Sequence, residues 1–308
     1  MVMKVGMLGY SEGNGHPFSF SAIINGYEPD AFMSAGWHVI LNYLEKQPKE
    51  AFDFNDVEVT HAWTQDPSLT KKLCEASKIP HAVENYTDML GKVDVVFIAR
   101  DDYHTHYPIA RPFLEHGTPV FIDKPLTLEN SELDYFAKYL HSGLLMSTSG
   151  MRYARELDTL RNDPSELGEL KLIEGVILND LEKYGIHLID AIHGLGLGKI
   201  NSIMRMSTPF EAYTLTLENN VIFNLSCLGA VGKTLHLSFY GTKNHFHYDL
   251  HDNFSAFKRT LQNMFAMVKQ KMPMIQPDEV INSMKLINQA KTLKAMETIV
   301  FKQGESFV

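Results

Sequence analysis

Three short stretches of this chain carry side chains able to move protons or hold charge. Asp123-Lys124-Pro125 ends the apolar run Pro119-Val120-Phe121-Ile122, so a lysine falls at the carboxyl end of a buried strand, the edge at which open parallel sheets bind ligands. Proline stops the strand and turns the Lys124 ammonium out of the ladder. An ammonium so placed is either a catalytic group or half of a structural ion pair. In the second stretch, Glu182 to Asp190, Lys183 and His187 are four apart and share a helix face, with Tyr184 close by. Oxidising a hydroxyl requires a group that takes the proton, and imidazole suits this with its pKa near neutrality. A lysine beside it disfavours imidazolium and keeps His187 proton-accepting. The plain alternative is a core histidine with satisfied ring nitrogens beside a solvated lysine.

The third stretch, Gly6 to Gly15, follows the first strand pattern, where a dinucleotide fold aims backbone N–H groups at a pyrophosphate. Counted from Gly9, Ser11 stands where the second glycine of G-x-G-x-x-G belongs, and Asn14 where the third belongs. Gly13 and Gly15 indicate a longer, rearranged loop, and His16-Pro17 delays the helix. A glycine-rich surface turn is the alternative; the position after strand one favours phosphate binding. The second strand ends in Ala62-Trp63-Thr64-Gln65-Asp66-Pro67. Thr64 occupies the spot where such sites place an acid on the adenosine ribose, so NAD and NADP both stay open. Asp66 is expected to cap a helix starting at Pro67.

The elements that must position these residues come in two textures. Residues 1–150 alternate short apolar runs (Lys4 to Leu8, Val57 to Thr64, Val93 to Ala99, Pro119 to Ile122, Leu144 to Ser147) with helical patterns, which predicts a doubly wound α/β domain with a parallel sheet. Residues 151–308 show longer strands with hairpin signals at Glu218-Asn219-Asn220 and Gly241 to Asn244, which predicts an open, mostly antiparallel sheet in an α+β domain. One helix (Tyr184 to Leu195) interrupts this region, and two (about Phe254 to Lys271 and Pro277 to Ile299) close the chain. The stretch Ser19 to Glu50 is long for a first crossover and is a candidate lid or pocket wall.

With 308 residues, 44% hydrophobic and 21% charged, the chain has the composition of a two-domain globular protein. No run approaches the ~18 apolar residues of a membrane span, and the N-terminus lacks a signal-peptide pattern. Two cysteines, Cys74 and Cys227, give no disulfide framework and point to a reducing cytosol. The net charge of −9 disfavours nucleic-acid binding. His104 with His106, and His245 with His247, have spacings compatible with zinc, yet no third and fourth ligands are evident, so no metal is expected.

Together, the glycine loop, Asp123-Lys124-Pro125, Met151-Arg152-Tyr153 at the domain junction and Lys183 to Asp190 resemble the Gfo/Idh/MocA oxidoreductases over nearly the whole chain. The resemblance implies an NAD(P)-binding first domain and a second domain whose open sheet builds homodimers or homotetramers. It also implies substrates that are sugars, nucleotide sugars or polyols. Asp123-Lys124-Pro125 maps onto the family's Glu-Lys-Pro motif, whose lysine approaches nicotinamide and substrate hydroxyl. Lys183 and His187 map onto its Asp-x-x-x-His pair, and His106 onto a histidine near the cofactor. The resemblance thus gives Gly9, Ser11, Gly13, Asn14, Gly15, Thr64, His106, Asp123 and Lys124 as cofactor-binding candidates. It gives Lys124, His187, Lys183 and Tyr184 as catalytic ones. Lys183 in place of aspartate, the broken fingerprint and Thr64 are departures. They keep open a non-catalytic ligand-binding or regulatory protein on this fold, and a redox-neutral epimerisation or elimination with tightly held NAD.

Overall fold

A computed structural model describes residues 2–52 and 54–301. The chain divides into two compact units, Met1–Thr148 with Phe257–Pro277, and Ser149–Ala256 with Asp278–Val308.

In the first unit, six strands form a sheet: β1 (Met3–Leu8), β2 (Val57–Trp63), β3 (His81–Ala82), β4 (Val95–Ile98), β5 (Val120–Ile122) and β6 (Leu145–Ser147). All pairings are parallel, in the order β3-β2-β1-β4-β5-β6. Helices cover both faces of such a sheet, so its central strands read as continuous apolar runs; β4 and β5 are buried at every position. The helices are α1 (His16–Asn25), α2 (Pro29–Ser34), α3 (His38–Leu44), α4 (Pro67–Ala76), α5 (His106–His116) and α6 (Asn130–Ser142). The Asp66 carboxylate accepts the Ser68 N–H and caps α4 as expected. The long crossover after α1 folds into α2 and α3, held by an aromatic cluster in which Phe18 meets Phe32 and Trp37 at ring distances of 5.8 and 5.7 Å. Strand β3 is too short to show a period, and no pattern announces it.

The second unit begins with the short helix α7 (Asp158–Asn162) and holds β7 (Leu170–Ile177), α8 (Ile186–Gly194), β8 (Ile200–Arg205), β9 (Glu211–Leu217), β10 (Ile222–Cys227), β11 (Leu235–Gly241) and β12 (His245–Asp249). Helix α9 (Asn253–Gln270) follows, then α10 (Pro277–Ala290) and β13 (Thr298–Val300). The seven strands run β12-β11-β7-β10-β9-β8-β13, antiparallel except for the β7/β10 pair. Alternation sets the core: Ile173, Ile177, Phe223, Leu225, Leu237 and Phe239 are buried, while Leu172, Glu174, Ile222 and Asn224 between them are half-buried on the other face.

The doubly wound sheet and the open mixed sheet agree with the expected fold class. Two elements differ. The helix expected to reach Ile299 stops at Ala290, and Thr298-Ile299-Val300 instead pairs with the edge of β8. The β-branched residues there suit a ladder. The helix expected from Tyr184 is preceded by a wide turn over Leu181–Gly185, and regular α-helix begins only at Ile186. Among the described residues no helix is long and apolar enough to cross a membrane.

Candidate functional site

The first unit gathers its chemistry where β1 and β4 end. Because β1 lies between β2 and β4, the strand order reverses there and leaves the crevice in which doubly wound sheets bind ligands. Gly9 closes β1 with its N–H donated to the Trp63 carbonyl at 2.7 Å. Its φ is +84°, and a Cβ there would lie 2.6 Å from Arg100 Cδ, so no L side chain fits. The loop then turns on an Asn14 N–H to Ser11 C=O bond of 3.0 Å.

Both residues that interrupt the glycine pattern hold carboxylates. Ser11 Oγ donates to Asp101 Oδ1 at 2.5 Å and accepts the Asp101 N–H at 3.1 Å. The other oxygen of Asp101 lies 4.0 Å from Lys124 Nζ, and both side chains are almost wholly buried. A buried ammonium needs such a counter-charge. Asn14 Nδ2 donates to Asp123 Oδ2 at 2.9 Å, and His16 Nδ1 lies 2.5 Å from the same oxygen. Asp123 Oδ1 accepts the Lys124 N–H at 2.9 Å. Burial alone would raise the Asp123 pKa, but the charge and hydrogen bond of His16, with Lys124 and Asn14, outweigh it. The carboxyl is held well below the usual range, so it is an anion at any working pH.

The remaining candidates of this unit have other surroundings. Thr64 is buried, with its hydroxyl donated to the Asp66 carbonyl at 2.7 Å and 2.8 Å from Thr70 Oγ1. Its exposed neighbour Gln65 reaches the loop instead, donating to the Tyr10 carbonyl at 2.5 Å. His106 is fully buried between the Leu126 and Arg100 carbonyls, at 2.9 and 2.8 Å, and burial lowers its pKa. It ties the β4–α5 connection to the segment after Pro125. Arg100 grips Asp102 with both Nε and Nη2. Gly15 begins α1 under Trp37 and Ile40, so the α2–α3 segment packs against the glycine loop.

These residues fit a dinucleotide. Gly13 has a φ of +77° and no atom within 4 Å of where its Cβ would be, which leaves open space beside backbone N–H groups at the switch point. The first turn of α1 contributes less than usual, since the His16 N–H goes to Asn14 Oδ1 at 2.9 Å and Pro17 has no N–H. The loop itself would therefore do most of the holding.

In the second unit, His187, Asp190 and His193 recur every three residues along α8. His187 Nδ1 lies 2.6 Å from Ser149 Oγ, and Asp190 Oδ2 accepts the Ser149 N–H at 2.6 Å. Ser149 Oγ also accepts the Met151 N–H at 3.1 Å. Arg152 is buried with Asp190 Oδ1 3.5 Å from Nη1 and Glu279 against Nη2. Tyr184 meets the His187 ring edge-on at 5.5 Å. Lys183 is exposed within the wide turn, its N–H donated to Asp180 Oδ1 at 2.7 Å. His247 shares the Ser238 hydroxyl with His236, each at 2.8 Å. Among the described residues no group of three or more His, Cys, Asp or Glu could hold a metal ion.

Sequence spacing had no means of finding Ser149, Asp101, His16 or Gln65 as partners. Each reaches its contact across the fold: Ser11 and Asp101 are 90 residues apart, and Ser149 and His187 are 38. The available signal for Ser149 was a small polar residue at a strand end, immediately before Gly150-Met151-Arg152.

Residues 32–142 match the family model described as "Oxidoreductase family, NAD-binding Rossmann fold", named GFO_IDH_MocA. A putative UDP-kanosamine synthase oxidoreductase subunit from Amycolatopsis mediterranei is 32% identical over 117 residues, 38% of this chain. That match spans 32% of the relative's length. Among solved structures, myo-inositol 2-dehydrogenase from Lactobacillus plantarum superposes with a TM-score of 0.75 at 15% identity, over 98% of this chain and all of the other. Scyllo-inositol dehydrogenase from Lactobacillus casei, solved with NAD(H) and scyllo-inositol, gives 0.74 at 15% identity over 97% and 99% of the two chains. At these identities the likeness is one of fold.

Proposed function

We propose that the chain, whose residues 32–142 match the Gfo/Idh/MocA family model, is an NAD(H)-dependent oxidoreductase. It would act on a CH–OH group, or the matching ketone, of a polyol, sugar or nucleotide sugar. The observation that carries this reading is the arrangement at the β1/β4 switch point. There an open left-handed Gly13 and a buried Lys124, set between carboxylates, stand at the edge where such sheets bind dinucleotides. NADP is the variant kept in view, because Gln65 and Thr64 place no acid at the end of β2.

Bound nicotinamide would supply or accept the hydride at its C4. The protein's part is the proton and the charge. The reading assigns stabilisation of negative charge on the reacting oxygen to Lys124. It assigns proton exchange with substrate to His187, with Lys183 or with Tyr184, which lies beside the ring, completing the path. The substrate class is suggested by the inositol dehydrogenases that share the fold and by the UDP-kanosamine synthase subunit that shares sequence. Copies of the chain would pair as dimers or tetramers through the uncovered face of the second unit's sheet, where Leu172, Glu174, Ile222 and Asn224 are half-buried. The free Cys74 and Cys227 suit a cytosolic setting.

Isothermal titration with NAD, NADH, NADP and NADPH tests the cofactor, and Gly13→Ala tests the loop. The expected result is micromolar binding of one cofactor pair, weakened at least tenfold by the added methyl. Lys124→Ala and His187→Ala should each lower turnover of the responsive polyol or sugar by roughly 100-fold or more. Full turnover in both variants would overturn the assignment of roles. An absence of dinucleotide binding, with none copurified, would favour a non-catalytic protein on the same fold.

A further inference from the structure

The candidate dinucleotide loop is framed by more acid than base. Asp101 and Asp123 stand against the Lys124 ammonium, while Arg100 is held by Asp102. Glu12, exposed on the loop itself, adds another carboxylate. A pyrophosphate brings its own negative charges, and α1 offers it little, since the His16 N–H is spent on Asn14 and Pro17 has none. A site of this balance holds an anion more tightly if it takes up a positive charge as the anion arrives.

His16 is placed to do so. It opens α1 directly after Gly15, and imidazole is the side chain suited to changing charge between about pH 5 and 8. Its ring is fixed from three elements: Asp123 Oδ2 at the end of β5 lies 2.5 Å from Nδ1, Phe20 of α1 stacks at 5.3 Å, and Phe257 of α9 meets it edge-on at 4.9 Å. Asp123, held as an anion, also receives the Asn14 amide and the Lys124 N–H, and a carboxylate can only accept. Nδ1 therefore carries a proton in both charge states of the ring. The charge change falls on Nε2, which has no hydrogen-bond partner among the described residues, on a side chain 20% exposed. A bare Nε2 is an acceptor with nothing to offer a phosphate; a protonated one is a charged donor. His106, which also senses the Asp123 charge, has both ring nitrogens engaged by carbonyls.

We propose that His16 is a pyrophosphate-binding residue of the dinucleotide site, taking up a proton at Nε2 as the cofactor binds while Asp123 holds the ring through Nδ1–H. This rests on the dinucleotide-binding reading of the first unit and on no assignment of the chemical step. The proton comes from solvent. Because the bound anion favours the charged ring, affinity is highest below the imidazole titration and declines as pH rises through it.

The test is calorimetric titration of the full chain with NAD at about pH 6.5, 7.5 and 8.5, in buffers of low and high ionisation enthalpy, whose difference in heat counts the protons taken up. ADP-ribose, which keeps the pyrophosphate without nicotinamide, and adenosine, which has no phosphate, are titrated beside it. The native chain should take up a fraction of a proton with NAD and ADP-ribose, and none with adenosine. The NAD Kd should rise about 3- to 10-fold from the lowest pH to the highest, one unit of pKa shift being tenfold in affinity. His16→Asn has an amide to replace Nδ1–H at Asp123 and nothing in place of Nε2. It should bind NAD about 3- to 10-fold more weakly at the lowest pH, with no proton uptake and a Kd that no longer follows pH. His16→Gln repeats the measurement should the Asn variant lose its cooperative thermal transition.

NAD binding without proton uptake in the native chain would overturn the proposal and leave the dinucleotide reading standing. So would uptake that persists undiminished in the folded variants, or equal uptake with adenosine, which would put the titrating group away from the pyrophosphate. Failure to bind both NAD and ADP-ribose would overturn the dinucleotide reading and this proposal together.

Discussion

Ser11 and Asn14 each present a polar side chain to a carboxylate beside Lys124, a contact that glycine at either position could not make. The Ser11 hydroxyl engages Asp101 Oδ1 and leaves Oδ2 facing the ammonium, so one residue couples the glycine loop to the candidate catalytic lysine. Restoring the fingerprint should therefore harm the protein. Ser11→Gly removes a hydrogen bond to a charged group, worth roughly 1.5–3 kcal/mol, without removing a backbone N–H from the loop. We expect NAD affinity to hold within about threefold while kcat falls about tenfold or more, measured by titration and steady-state kinetics side by side. The reverse pattern, weaker binding with kcat intact, would make Ser11 part of the phosphate surface only.

Helix α8 shows what an element adds to a motif. Its His193 is buried near Arg152 and Glu279, and burial pushes its pKa down to about 4. An unfolded histidine titrates near 6.5, so between the two values the unfolded chain binds more protons and acid favours unfolding. The loss should begin as pH falls through about 6.5 and amount to roughly 2 kcal/mol between neutral pH and pH 5. Urea unfolding at the two pH values checks this: His193→Gln should flatten the difference by about that amount, and an equal acid loss in the variant would show that other groups carry it. The same helix marks how far periodicity reaches. Its apolar spacing announced a helix and put His187 on it, but the wide turn at Leu181–Gly185 is a response to packing that spacing does not encode. Likewise β1, β4 and β5 were legible because both faces are buried, and Lys124 because a proline ends its strand. Strand β13 falls where spacing predicts helix, because Thr298 to Val300 becomes a strand only beside the β8 edge.

At the scale of the whole molecule, the chain passes from the first unit to the second and back again. The change of texture near Arg152 marks the first passage. The return at Phe257 leaves no mark, because 253–270 is one continuous amphipathic helix. Its later residues complete the core of the first unit: the Phe257 ring lies 4.9 Å from His16 and 5.2 Å from Phe20, and Phe265 lies 5.4 Å from Phe54 and 5.9 Å from Phe97. Lys269 adds an ion pair to Asp56 at 2.5 Å, which is exposed and contributes little. A fragment of residues 1–150 therefore lacks two core aromatics, each worth about 3–5 kcal/mol by the cost of truncating it. Against a total stability of about 5–15 kcal/mol, that removes most of the margin and leaves Phe20 and Phe97 facing water. The fragment should show no cooperative urea transition and weak near-ultraviolet dichroism. Residues 1–148 joined by a flexible linker to 257–277 should regain both, together with NAD binding if the loop and Lys124 suffice for it. A cooperative 1–150 fragment as stable as the joined one would mean that the returning helix rests on a core already complete without it.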